Sequence, residues 1–220
     1  MKSLRSIAFL VFALLVACTK QQTPPPPEED MLYRVECFFQ HAPDSALQII
    51  DTLDITCLSE KEKAHYWLLK AELFQLTHKD HRPTDSLLQL AQDYFIGSDD
   101  KYHEARTYDI MAWQTNVTQQ EPQVAMDYRQ KALQSILQCK HIDERLIRVS
   151  TTPTDEQNEI LRLENAIRFR LGTTYSANHY FREGIDQLKP AEAYYAEKQR
   201  HSLRIQSAYM LGNNYLGLRE

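Results

Sequence analysis

Small residues recur at fixed spacing along this chain, and that period constrains its fold more than any other feature. Ala71, Ala112, Gly172 and Gly212 each interrupt a segment of bulkier residues, at intervals of 41, 60 and 40. A second series, Ile50, Ala91, Ala132 and Ala191, follows at intervals of 41, 41 and 59. The polar breaks repeat too: Asp44-Ser45-Ala46-Leu47-Gln48 returns as Asp85-Ser86-Leu87-Leu88-Gln89, shifted by 41. Self-similarity at roughly 20–50 residues marks stacked repeats, each unit being too small to bury its apolar face alone. Short side chains in register are what two closely packed helices require at their contact. Both series lengthen at the same place, which marks the polar stretch His141 to Asn158, with Ser150-Thr151-Thr152-Pro153-Thr154, as an insertion between repeats.

Composition narrows the repeat to helix. Only 5 of the 220 residues are glycine, all at position 97 or later, whereas average usage is about 7%. That argues against turn-rich all-β folds and against glycine-rich nucleotide loops. The apolar periodicity predicts helices over 32–40, 43–54, 60–77, 84–96, 100–117, 121–139, 156–177, 180–198 and 201–218. Pro43, Pro83 and Pro122 sit at helix starts, where a fixed φ fits and a missing N–H does no harm. Pro190 falls inside a helix and is expected to kink or split it. The expected fold class is all-α.

Leu171-Gly172-Thr173-Thr174-Tyr175 and Leu211-Gly212-Asn213-Asn214-Tyr215 resemble the L-G-x-x-Y core of the first helix of the tetratricopeptide repeat family. Tyr66-Trp67 and Tyr108 lie at or beside that helix's leading aromatic, and Ala125 with Ala132, like Gly184 with Ala191, match the second helix's small pair. The resemblance implies a right-handed solenoid of helical hairpins, about four and a half repeats over 32–220, with an inserted loop near 141–158. Lys70 stands where the motif has Leu, Arg168 where it has an aromatic, and the period exceeds the usual ~34 residues. The last helix would be half a hairpin, leaving Tyr209, Leu211, Tyr215 and Leu216 uncovered. Since solenoids normally end in a polar cap, continuation of the array beyond residue 220 is preferred over a bound partner on this face.

The N-terminus is read as a targeting segment. Lys2 and Arg5 precede an apolar run of 11 residues, Ile7 to Ala17, too short for the roughly 20 residues of a bilayer span. Leu15-Val16-Ala17-Cys18 resembles a bacterial lipobox, which implies a signal peptide at 1–17, lipidation of Cys18 and a lipid-anchored protein. Thr19 stands where an inner-membrane retention signal has Asp, so the resemblance favours the outer membrane, facing either side. Residues 18–31, with Pro24-Pro25-Pro26-Pro27, read as an extended tether. Cys37, Cys57 and Cys139 remain, and an odd number leaves a Cys37–Cys57 pair and free thiols both open.

Chemistry is harder to find. No nucleotide-loop, nucleophile-elbow or zinc-protease motif occurs, and Asp and Glu are scattered along polar faces, so no enzyme is expected. His78-Lys79-Asp80-His81 comes nearest to a metal motif but lacks a third ligand, so neither metal nor cofactor is expected. His103-Glu104 reads as the surface of a helix end, and Glu60-Lys61-Glu62-Lys63 as a solvated first turn. Asp44-Ser45, Asp51-Thr52 and Asp85-Ser86 fit either helix capping or O-glycosylation, and Asn116-Val117-Thr118 fits the N-glycosylation pattern. The formal net charge of -5 gives no electrostatic case for nucleic acid.

The family resemblance implies a concave groove lined by first helices. It would carry Leu68, Glu72, Arg106, Asp109, Trp113, Asn116, Phe169, Thr173, Tyr209 and Asn213, with Trp113 the best single anchor. Asn213 matches an amide of carboxylate-clamp repeats, but their lysines are absent. The leading expectation is a non-catalytic, outer-membrane-anchored protein that binds a protein or peptide in the cell envelope. The alternatives are the extracytoplasmic sensor segment of a signalling protein and a glycan- or nutrient-capture lipoprotein.

Overall fold

The computed structural model describes residues 28–77, 84–116, 121–149 and 155–219. Cys18, the proline run and the His78–His81 tract lie outside them. All secondary structure among the described residues is helical: ten α-helices and one short 3-10 turn at Ile55–Cys57. In chain order the helices are α1 (Glu28–Phe38), α2 (Pro43–Ile50), α3 (Glu60–Thr77), α4 (Thr84–Phe95), α5 (Lys101–Gln114), α6 (Pro122–Gln138), α7 (Glu144–Val149), α8 (Glu156–Ala177), α9 (Phe181–Glu197) and α10 (His201–Gly217). The all-α expectation holds.

Local chemistry explains most boundaries. Ser59 and Glu62 close a capping box ahead of α3, the Ser59 N–H donating to Glu62 Oε2 at 2.9 Å. Asp100 caps α5 by accepting from the His103 N–H, and Asp155 caps α8 by accepting from the Asn158 N–H. Pro43 and Pro122 open α2 and α6. The α8–α9 and α9–α10 turns each pass through a left-handed residue, His179 (φ 65) and Gln199 (φ 55). In each, the following N–H bonds back five residues, Tyr180 to Tyr175 and Arg200 to Tyr195, so the two turns share one Schellman-type geometry.

Neighbouring helices pack in succession, α3 on α4, α4 on α5, α5 on α6, α6 on α8, α8 on α9 and α9 on α10. The small residues sit at these contacts. A Cβ placed on Gly172 would stand 2.6 Å from Leu188 Cγ, and one on Gly184 2.7 Å from Asn214 Nδ2. Gly217 faces the Phe181 ring, where a Cβ would come within 2.5 Å. Ala71, Ala112, Ala132 and Ala191 are fully buried.

Among the described residues, three apolar clusters make up the core. The first joins α1, α2 and α3 through Leu32, Val35, Leu47, Ile50, Leu69 and Leu73. The second joins α3, α4 and α5 through Leu68, Leu88, Phe95 and Ile110. The third gathers Tyr33 of α1, Tyr102 of α5, Ile136 of α6 and Ile167 of α8 around Ile142 and Leu146. Burying each such aliphatic chain contributes about 1.5–3 kcal/mol.

Two expectations need correction. Pro190 does not split its helix; α9 runs unbroken from Phe181 to Glu197. Pro190 and Asp186 are both exposed, so the Asp186 carbonyl that loses its N–H partner faces water. Nor is the inserted stretch a plain polar loop. It contains α7, which packs on α1, and it buries Ile142 and Leu146.

Candidate functional site

The most unusual feature of the interior is a group of charged and imidazole side chains beneath α1. Glu36 lies on the apolar stripe of that helix, between Val35 and Phe39, and its side chain is 3% exposed. His65 on α3 and Arg106 on α5 reach it from two directions. They are 41 residues apart, the same spacing that separates Ala71 from Ala112. The Arg106 guanidinium donates to Glu36 Oε1 through Nη1, and to Glu72 through Nε (3.1 Å) and Nη2 (2.6 Å). His65 Nε2 is 2.5 Å from Glu36 Oε2. That contact lies off the ring N–H direction, so neither atom has a properly directed hydrogen bond.

His103 completes the group. Its ring stacks on Phe95 and meets His65 edge-on at 4.6 Å between centroids. His103 Nδ1 is 2.9 Å from Asp100 Oδ1, while Nε2 is buried without a partner. One ligand atom from each of Glu36, His65 and His103 lies within 4.8 Å of the others.

Electrostatics fix the charge states. Burial pushes the Glu36 carboxyl up, but the Arg106 guanidinium and then His65 outweigh it and hold it well below the usual carboxylate range. Burial drives the His65 imidazole down to about 4 despite the attraction of Glu36. Burial disfavours charge on Arg106 as well, yet Glu36 and Glu72 raise it well above its ordinary value. The Asp100 carboxyl is opposed by burial but held low by His103 and then Lys61.

A second charged group adjoins it. Lys61 lies 3.0 Å from Asp100 and 3.3 Å from Asp143. Arg145 lies 2.5 Å from Glu62 and 3.0 Å from Asp143, with its guanidinium over the Tyr33 ring. The Tyr33 hydroxyl donates to Asp143 at 3.0 Å, and burial then Asp143 raise its pKa far beyond the usual phenol range. Glu62 and Lys61 therefore belong to a tertiary ion network, not to a freely solvated first turn. His103 and Glu104, expected at the surface, are 1% and 5% exposed.

The ten residues assigned to a groove do not form one surface. Leu68 is fully buried with Ala71 and Leu88, and Arg106 is 4% exposed in the charged group; neither is open to a partner. Glu72 is half-buried against Arg106, and Asp109 is held by Arg170 at 2.5 Å. Trp113 packs partly buried on the α3–α5 core. Phe169 meets the Tyr195 ring edge-on, and the Thr173 hydroxyl donates to the Arg170 carbonyl. Asn116, Tyr209 and Asn213 are exposed, the last two on α10. α1 lies against α3 and α5, where Glu36 meets His65 and Arg106, and Asp143 ahead of α7 meets the start of α3.

Among the described residues, Cys37, Cys57 and Cys139 form no disulfide. No described helix is long and apolar enough to cross a membrane. Comparison of the chain with family models, curated proteins and solved structures found no match.

Proposed function

We propose that this chain is a lipid-anchored envelope scaffold, built as a right-handed solenoid of tetratricopeptide-like hairpins, that holds a protein partner by accepting an amphipathic helix on α10. The observation that carries the reading is the outward face of α10. Ile205, Tyr209 and Leu216 are 69%, 67% and 59% exposed and, with Gly212, form an i, i+4, i+7, i+11 stripe. Such a stripe is what a helix presents to another helix. At the equivalent position one repeat earlier, Gly172 seats Leu188 of the next helix; Gly212 has nothing within 4 Å. The vacant seat therefore suits a helix carrying a leucine where α9 carries Leu188. With α1 lying against α3 and α5, docking shifts from the concave face to this one. Anchoring rests on Leu15-Val16-Ala17-Cys18.

Site-specific photocrosslinking in the full chain, in its own envelope, tests the partner. A photoreactive residue in place of Tyr209 is expected to give one discrete adduct, whose crosslinked peptide maps to an amphipathic helix of another envelope protein. The same probe at Gln157, exposed on α8, gives none, and Ile205→Asp abolishes the Tyr209 adduct. A self-adduct, or equal adducts from both positions, overturns the reading. Cys18→Ala is expected to release the protein from the membrane fraction; retention there refutes the anchor.

A further inference from the structure

We propose that Glu36, His65 and His103 form a buried binding site for one transition-metal dication, best matched by Zn²⁺. The three side chains are 3%, 0% and 2% exposed and come from three helices, α1, α3 and α5. Their ligand atoms lie within 4.8 Å of one another. On a tetrahedral Zn²⁺, with Zn–N and Zn–O of about 2.0–2.1 Å, such atoms stand roughly 3.3 Å apart. Loading opens the 2.5 Å Glu36–His65 contact and draws the remaining atoms together. Both are side-chain adjustments.

The donor atoms are the ones without other work. Glu36 Oε1 is occupied by Arg106, which leaves Oε2 as a monodentate ligand. Neither His65 nitrogen has a hydrogen-bond partner, and His103 lacks one at Nε2. Buried polar atoms left unpaired are costly, so several converging on one point call for an occupant. Asp100 gives a second, independent indication. It accepts from His103 Nδ1 at 2.9 Å, which fixes the tautomer and leaves Nε2 bare. A carboxylate behind a ligating imidazole is the usual arrangement around bound zinc.

Charge also points to a cation. Among the described residues, the ion-paired groups around the site comprise five carboxylates (Glu36, Glu62, Glu72, Asp100, Asp143) and three cations (Lys61, Arg106, Arg145). Carboxylates outnumber cations among these described groups, which favours an added cation. Nitrogen donors select Zn²⁺ and its transition-metal neighbours over Ca²⁺ or Mg²⁺. With one ligand on α1 and the others on α3 and α5, the ion would pin the first helix to the rest of the array.

The test uses the purified full chain, stripped with chelator and titrated with Co²⁺. One Co²⁺ per chain, with visible d–d absorption of four-coordinate type that Zn²⁺ displaces, is the expected result. Zn²⁺ at about 100 times Kd is expected to raise Tm by about 5–10 °C. Glu36→Gln and His103→Gln are each expected to weaken Co²⁺ binding at least tenfold. Asp100→Asn, which leaves all three ligands in place, is expected to weaken it about 10–100-fold. The double variant His78→Ala/His81→Ala should leave the spectrum unchanged. A chain that stays helical by circular dichroism yet takes up no stoichiometric Co²⁺ overturns the proposal. So does uptake lost in the His78/His81 variant but kept in Glu36→Gln and His103→Gln.

Discussion

Gly172 and Gly212 occupy equivalent positions 40 residues apart, and the structure makes opposite predictions for the same substitution in each. In Gly172→Ala the new Cβ would stand 2.6 Å from Leu188 Cγ, 3.1 Å from Leu188 Cδ2 and 3.2 Å from the Gly184 carbonyl oxygen. Carbon atoms in contact prefer about 3.5–4.0 Å, so the methyl intrudes by about 1 Å. Leu188 is fully buried and cannot swing into solvent. Overpacking costs about 1–3 kcal/mol, and an overlap this large on a branch carbon that cannot move aside takes the upper part of that range, about 2–3 kcal/mol, offset by about 0.8–1 kcal/mol from the better helix propensity of alanine. The net expectation is a loss of about 1–2 kcal/mol. In Gly212→Ala nothing opposes the propensity gain, because no atom lies within 4 Å. That variant should therefore be more stable by about 0.8–1 kcal/mol.

The two variants thus differ by about 2–3 kcal/mol, which for a chain of this size separates their unfolding midpoints by about 4–12 °C. Thermal and urea unfolding followed by far-ultraviolet circular dichroism reads both. If Gly212→Ala destabilises as much as Gly172→Ala, its face is covered by something, and the vacant seat on α10 is lost as an argument. If Gly172→Ala is neutral or stabilising, the close approach of α8 and α9 is wrong, and so is the reason for the repeat's small residues.

Arg106→Met strands Glu36 and Glu72 without their cation and should cost about 3–5 kcal/mol, read as a lowered urea midpoint. Asp143 has a folded-state pKa below its ordinary value of 3.8: burial opposes this, and hydrogen bonds from Arg145, then Tyr33, outweigh it. Its stabilising contribution is complete above the unfolded value and is lost as pH falls through the folded one. The stability gap between the parent and Asp143→Asn should therefore be constant near neutrality and close below about pH 4; a gap that widens on acidification refutes the assignment. Exposed Cys57 should react with a thiol reagent at neutral pH well before Cys139, whose thiol burial pushes up to about 11. Equal labelling rates would refute the burial of Cys139.

The helices were legible because their signals are local. Prolines at starts, Asp and Ser caps and a 3.6-residue apolar period lie within a few residues of what they determine. Pro190 misled because a helix supported by tertiary packing can run through a proline whose freed backbone group is open to water, and that support is a tertiary fact. Inside the 141–158 insertion, Ile142 and Leu146 look like stray apolar residues among polar ones. Their burial depends on α1, more than a hundred residues earlier, whose Tyr33 bonds Asp143 and whose Cys37 thiol bonds the Leu146 carbonyl.

The charged interior left a trace that composition hides. Scattered acidic residues look like solvated faces when counted, but Glu36 shares a stripe with Leu32, Val35 and Phe39, all of them buried. A carboxylate on an apolar stripe must find a cation, a donor or a metal, since an isolated buried charge is intolerable. Repeat spacing then narrows the search: His65 and Arg106 are 41 residues apart, as Ala71 and Ala112 are. What no register could reveal is that α1 lies across both. A groove inferred from repeats alone assumes that its concave face is empty. Here Arg106, assigned to that groove for a partner, is already engaged by Glu36 and Glu72 of the chain itself.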